Sequence, residues 1–346
     1  MSAQRSTRRR RPWWASFSDR ELLDVRLCDL DLDWRRTWLA RTVEQLHDEL
    51  EEKGLRLRPH VWLSTEWFSP DGVPGIAVPF FLAHERLMRL EKRKMLSVEG
   101  GSERGCLRLL RHEAGHAICT AHRLHRRPKW RATFGPYGAP YPESYAPRPS
   151  SRDHVQHLAG WYAQAHPAED FAETFAVWLN PRSRWRQRYR DWPALEKLEV
   201  VDAMMASIAG RTPPVRSRRF VEPISKSRDT LRDVYEERQE RYGAHAPTVF
   251  DEDLLRLFSD EARHAHRPTA AAFLRSARPR IRDTVVRWTG EVPYTVDHVV
   301  GDMIERCKSL ELRLRMSTSK SIHEASVLVA VHTTRYMHRL PHRIAL

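Results

Sequence analysis

His112-Glu113-Ala114-Gly115-His116 is where residue types and spacing read most directly as chemistry. In a helix, residues four apart stand on one face, so His112 and His116 can offer both imidazoles to one metal ion. Glu113 lies beside them, where a carboxylate can take a proton from a metal-bound water. A second stretch follows, His166-Pro167-Ala168-Glu169-Asp170-Phe171-Ala172-Glu173-Thr174-Phe175. Pro167 suits the first turn of a helix, and the acids crowd the end that the helix dipole favours. Phe171, Phe175 and Trp178 make an apolar face; Glu169 and Glu173, four apart, share another. A catalytic zinc takes three protein ligands and keeps one position open. His112, His116 and Glu169 supply that set, and Glu173 can hydrogen-bond a ligand histidine and fix its tautomer. His154 and His157 are rival ligands to Glu169, and His166 reads as a neighbour of the helix cap.

The pair His112-Glu113-x-x-His116 and Glu169-Asp170-Phe171-Ala172-Glu173 resembles the gluzincin group of zinc metallopeptidases, and within it bacterial proteins described as zinc-binding metallopeptidases. The second motif is also similar to the Glu-x-Phe-Ala-Glu helix of the anthrax lethal factor catalytic domain. The resemblance covers roughly residues 55–180 and carries no information about substrate. It implies one zinc ion held by His112, His116 and Glu169, Glu113 as general base and Glu173 behind a ligand. By the same resemblance Tyr162, about two turns before Glu169, steadies the oxyanion, with Tyr145 as a rival. The activity implied is hydrolysis of a peptide or amide bond in a peptide or protein substrate. No third histidine follows His116 at the metzincin offset.

These side chains need elements to position them. Leu107, Leu110, Ala114, Ala117, Ile118 and Ala121 form an apolar stripe at helical spacing, with Ser102 as N-cap. Gly115 costs helix propensity and leaves room near the metal for another chain or a substrate. Upstream, Leu22–Leu32 alternates in part and predicts a strand. Asp33–Lys53 predicts a helix ended by Gly54, and Leu55–Phe68 and Ile76–Leu82 predict strands about the turn at Ser69–Gly72. Pro74–Phe81 is the candidate edge for main-chain pairing with an extended substrate. His84–Lys94 predicts a basic helix. Between the two motifs, Arg123–Arg152 carries Pro128, Pro136, Pro140, Pro142, Pro147 and Pro149, with Tyr137, Tyr141 and Tyr145. That density predicts a long irregular loop forming a substrate wall or lid. Leu195–Ile208 predicts a helix under the site.

The fold class expected is α+β: a zincin-like metallopeptidase domain with a small mixed sheet and an active-site helix, then an all-α domain. The boundaries are a disordered basic arm at 1–16, the catalytic domain at 17–212 and helices at 213–346, divided at Gly210–Pro214. Net charge is +14, which favours acidic partners, including nucleic acid, through a basic surface. The alternative to a hydrolase is therefore a non-catalytic, metal-containing protein that binds nucleic acid or protein. Cys28, Cys106, Cys119 and Cys307 are scattered and predict free thiols in a reducing, cytoplasmic setting, Cys119 in the core. No run of apolar residues is long enough to span a membrane, and no apolar segment after the arginine run suggests a signal.

Overall fold

The computed structural model describes residues 12–142, 148, 151–242 and 250–337. Of the expected basic arm, residues 1–11 lie outside this set, and its end departs from expectation. Trp13–Ser16 is a 3-10 turn in which Trp14 is fully buried, its indole N–H donating to the Leu30 carbonyl at 2.9 Å. Burying so large an apolar ring ties the chain down. Leu22–Leu32 is not a strand. Helix α1 (Asp19–Leu23) starts from a capping box between Ser18 and Glu21, and a 3-10 turn follows at Leu27–Leu30. Local capping outweighs a partial alternation of apolar residues.

Helix α2 (Trp38–Glu52) is capped by Thr37 and buries Leu39, Val43, Leu46 and Leu50. Strands β1 (His60–Ser64) and β2 (Gly75–Pro79) pair in parallel, and Phe68 bridges antiparallel to Ala77 on the other edge of β2. Both strands are buried throughout, shorter than the apolar runs that predict them, and followed after β2 by a 3-10 turn at Phe80–Ala83. Helix α3 (Glu85–Met95) is capped by His84. Helix α4 (Glu103–His122) begins at Ser102, whose hydroxyl accepts from the Gly105 N–H, and carries the His-Glu-x-x-His motif through the core. The proline-rich connection is not wholly irregular: α5 (Pro128–Phe134) uses Pro128 at its first turn, where the missing N–H costs nothing. Helix α6 (Pro167–Leu179) is buried from Ala168 to Leu179. Helices α7 (Trp185–Arg188) and α8 (Ala194–Ile208) follow, α8 packing on α6.

Beyond Gly210–Pro214 the chain still packs on the first core. The Val215 N–H donates to the Ala121 carbonyl, and Ile224, Leu231, Val234 and Tyr235 belong to the first core, the last three on α9 (Leu231–Tyr242). The side chains of Trp62 and Ser64 bond the carbonyls of Val221 and Glu222. Apolar residues beyond the Gly-Pro break thus return to the first core. A second core begins at Phe250. It gathers α10 (Asp251–Leu257), a two-residue ladder of β3 (Phe258–Ser259) with β4 (Arg313–Leu314), and the long helices α11 (Ala270–Thr289), α12 (Pro293–Ser309) and α13 (Thr318–Met337). The architecture is α+β, mostly helical, with a small sheet and a helical second half. No helix among the described residues is long and apolar enough to cross a membrane.

Candidate metal centre

Helices α4 and α6 cross where each has a small residue. A Cβ added at Gly115 would lie 2.8 Å from Ala172 Cα and 3.1 Å from its carbonyl oxygen. Gly115 therefore leaves room for the α6 backbone, not for a substrate. This close approach sets the histidines of α4 against the acids of α6. Because α6 lies inside the core, its three carboxylates cannot rely on water, and an unpaired buried charge is costly. Each has partners. Asp170 meets Lys197 at 2.6 Å. Glu173 receives His112 Nδ1 at 2.9 Å and the Leu158 N–H at 2.7 Å. Glu169 Oε2 lies 3.0 Å from His112 Nε2 and 3.3 Å from His116 Nε2, and the two Nε2 atoms are 3.2 Å apart.

That triangle bears directly on whether an ion fits. With zinc–ligand distances of about 2.0–2.1 Å, the ligands on one face of a tetrahedron stand about 3.3–3.4 Å apart. The three atoms here nearly match that spacing. Charge and tautomer agree. His112 Nδ1 faces a carboxylate and carries the proton, so in the neutral ring Nε2 presents a lone pair. It points at a carboxylate oxygen and a second imidazole nitrogen. Three lone pairs converging in a buried site repel unless a cation sits among them. In the metal-free protein a proton serves: burial opposes charge on His112, yet the hydrogen bonds to Glu169 and Glu173 outweigh it and raise its pKa well above 6.5. Burial also works against the Glu169 anion, but His116 and His112 hold its carboxyl well below 4.5. These residues, His112, His116 and Glu169, form a group that could hold a metal ion.

Glu113 is buried, which pushes its carboxyl pKa up against the favourable charges of His112 and His116. Tyr162 lies in a 3-10 segment, Ala159–Gln164, with its ring centroid 5.7 Å from that of His112. The residue before it, Trp161, has φ of 53°. That left-handed backbone costs a side chain with a Cβ about 1–2 kcal/mol, strain that local packing must hold.

The rival ligands point elsewhere. His157 Nε2 donates to the Arg108 carbonyl at 2.9 Å, and burial pushes its pKa down to about 4. His154 sits 3.8 Å from Asp170, its pKa likewise lowered to about 4 by burial. His166 is itself the N-cap of α6, accepting from the Ala168 N–H at 3.1 Å. Cys119 is buried, as expected of a core thiol. Tyr145 lies outside the described residues. Along Pro74–Phe81 the outer edge is largely used within the chain: Ala77 N–H is taken by the Phe68 carbonyl and Gly75 N–H by the Val73 carbonyl, each at 2.8 Å, and Pro79 has no N–H. One residue that spacing alone did not single out is Tyr141. Its hydroxyl donates to Glu169 Oε1 at 2.8 Å.

Residues 85–186 match the model of a family described as "Putative zinc-binding metallo-peptidase". The match spans both motifs and the connection between them. No curated protein and no solved structure matches the chain.

Proposed function

We propose that the protein is a zinc-dependent hydrolase that cleaves peptide or amide bonds. The observation that carries this reading is the largely buried triangle of His112 Nε2, His116 Nε2 and Glu169 Oε2, a group that could hold a metal ion. The family match over the same residues supports it. Two imidazoles and one carboxylate with an open position suit zinc among divalent ions. When bound, zinc lowers the pKa of a water and polarises the scissile carbonyl. Glu113 takes the proton of the attacking water and passes it to the leaving amine. The burial that raises its pKa brings the carboxyl nearer the range in which it both accepts and returns a proton. Tyr162, on the His112 side of the centre, donates to the oxyanion. Glu173 holds the His112 ring with Nε2 toward the centre. The net charge of +14 favours acidic peptide or protein substrates.

Elemental analysis of the wild type, Glu169→Ala and Glu173→Ala tests the site. The expected result is one zinc per chain, lost with Glu169→Ala and partly kept with Glu173→Ala. A wild type that binds no ion after zinc is supplied would overturn the reading. The basic, non-catalytic alternative would then be tested by salt-dependent retention on DNA.

A further inference from the structure

We infer that Tyr141 is a positioning residue of the metal centre: its hydroxyl holds one oxygen of Glu169 so that only the other faces His112 and His116. The inference rests on the metal-site reading above. A carboxylate has two oxygens, and either or both can serve an ion. Here they have different surroundings. Oε1 accepts from the Tyr141 hydroxyl at 2.8 Å, while Oε2 lies 3.0 and 3.3 Å from the two histidine Nε2 atoms. A donor fixed on one oxygen turns the carboxylate plane and leaves the other as the single ligand atom.

Tyr141 can do this only if it is itself fixed, and it lies in a stretch without helix or strand. Side chains do the fixing. The Tyr141 ring lies flat on the ring of His166, with centroids 3.8 Å apart and planes 15° apart. His166 is in turn held at both nitrogens. Its Nδ1 accepts from the Ala168 N–H at 3.1 Å, so its Nε2 carries the proton and donates to the Ala139 carbonyl at 2.8 Å. The histidine that caps α6 therefore also binds the segment bearing Tyr141. Four residues earlier, Tyr137 donates to Asp71 in the turn between β1 and β2, and stacks on His125 at 4.4 Å. The segment from 137 to 141 is thus tied to the sheet side at one end and to the start of α6 at the other. Glu169 stands in the first turn of that helix. One unit sets the cap, the loop and the ligand together.

Tyr141 and Tyr162 then have separate tasks. The Tyr141 hydroxyl is committed to Glu169, whereas Tyr162 approaches through His112. Loss of the Tyr141 hydroxyl should weaken ion binding, and loss of the Tyr162 hydroxyl should slow turnover at unchanged ion affinity.

The test uses the full chain stripped of metal and titrated with zinc against a chromophoric chelator, then with cobalt(II), whose visible bands report coordination number. Wild type, Tyr141→Phe, Tyr141→Leu and Tyr162→Phe are compared. The expected result for Tyr141→Phe is a Kd for zinc raised about 10–100-fold, the usual cost of losing a partner behind a ligand, with altered cobalt bands and an unchanged metal-free far-ultraviolet spectrum. Tyr141→Leu, which also removes the stack on His166, should lose at least as much, and Tyr162→Phe should keep both affinity and bands. If either Tyr141 variant matches the wild type in affinity and cobalt bands, the positioning role is wrong while the metal site stands. If the wild type binds neither ion, the metal-site reading fails and this inference with it.

Discussion

Among the described residues, histidines meet carboxylates across two helix junctions, α4–α6 and α10–α13, and the proposed chemistry uses the first. In the second core, His332 on α13 meets Asp253 on α10 at 2.9 Å and packs against Phe250. Asp253 is in the first turn of α10 and also takes Arg256. The carboxylate has a cation of its own and a helix N-terminus behind it, so the charges balance locally. In the first core, His112 on α4 meets two carboxylates of α6, one at each ring nitrogen, and a second imidazole enters at 3.2 Å. There the imidazole nitrogens and a carboxylate oxygen form a group that could hold a metal ion. A buried histidine beside an acid is thus an ordinary helix tie. A histidine with acids at both nitrogens, aimed at a second histidine, is the arrangement we propose for a positive ion.

The sharpest way to break this contrast is at Glu113. Glu113→Gln removes the proposed base and leaves the three ligand atoms in place. Peptide hydrolysis should fall by about 10²–10⁴-fold while zinc content by elemental analysis stays at the wild-type level. Full activity in the variant would remove Glu113 from its role. Next in size is Glu173→Ala, which frees the His112 ring. Zinc Kd, measured by chelator competition, should rise about 10–100-fold, whereas Asp253→Ala in the other pair should leave it unchanged. Equal effects from the two acids would erase the distinction between the pairs.

Gly115→Ala acts on the crossing of the helices. Its Cβ would meet Ala172 backbone atoms at 2.8 and 3.1 Å, and backbone cannot swing aside as a side chain does. Thermal or denaturant unfolding should show a loss of about 1–3 kcal/mol, with weaker zinc binding because α6 carries Glu169 away from α4. A variant as stable and as tightly binding as the wild type would mean that the helices slide freely.

How far the site can be read from sequence follows from the range of each interaction. The histidines and Glu113 are legible because helix geometry acts over four residues, and Glu169 with Glu173 for the same reason. Room for another chain at Gly115 is legible too, but which segment fills it is not, since Ala172 is brought in by packing and spacing along one helix does not name what crosses it. Tyr141, Tyr137 and Tyr145 look alike in a proline-rich stretch, and that Tyr141 reaches Glu169 depends on where His166 holds the chain. The start of the second core is harder to read, because Gly210–Pro214 is a break in local structure, while the return of Ile224 and Leu231 to the first core is a long-range event. Trp14 shows the same limit: the run Arg8–Arg11 precedes it closely, and its burial against Leu30 outweighs that signal.

Acidity offers a gentler test. In the metal-free protein the folded-state pKa of His112 is raised well above 6.5. Its contribution to stability is fully present below the unfolded value and is lost as pH rises through the folded one. The Glu169 carboxyl is depressed below 4.5, so its contribution is present above that value and is lost as pH falls through the depressed one. Calorimetry on the metal-free chain should therefore show a melting temperature that declines on the alkaline side. With zinc bound, His112 no longer needs its second proton, and the gap between loaded and metal-free melting temperatures should widen as pH rises from 6.5. Parallel curves would show that the proton and the ion do not compete for the same nitrogen.

The smallest effect belongs to the second pair. His332 is buried and its Nε2 is bonded to Asp253, but Asp253 stays partly open to water and keeps Arg256. Removing the ring in His332→Ala therefore leaves no stranded charge in the core. The cost should be that of one hydrogen bond and a ring packed on Phe250, about 1–2 kcal/mol by denaturant unfolding, with zinc affinity and hydrolysis untouched. In the first core, His112→Ala would instead remove the ring that Glu169 and Glu173 share, leaving Glu169 with His116 and Tyr141 and Glu173 with the Leu158 N–H in a buried site where a carboxylate without a cation is costly. A His332→Ala variant that lost zinc would join the two pairs into one system and end the contrast drawn between them.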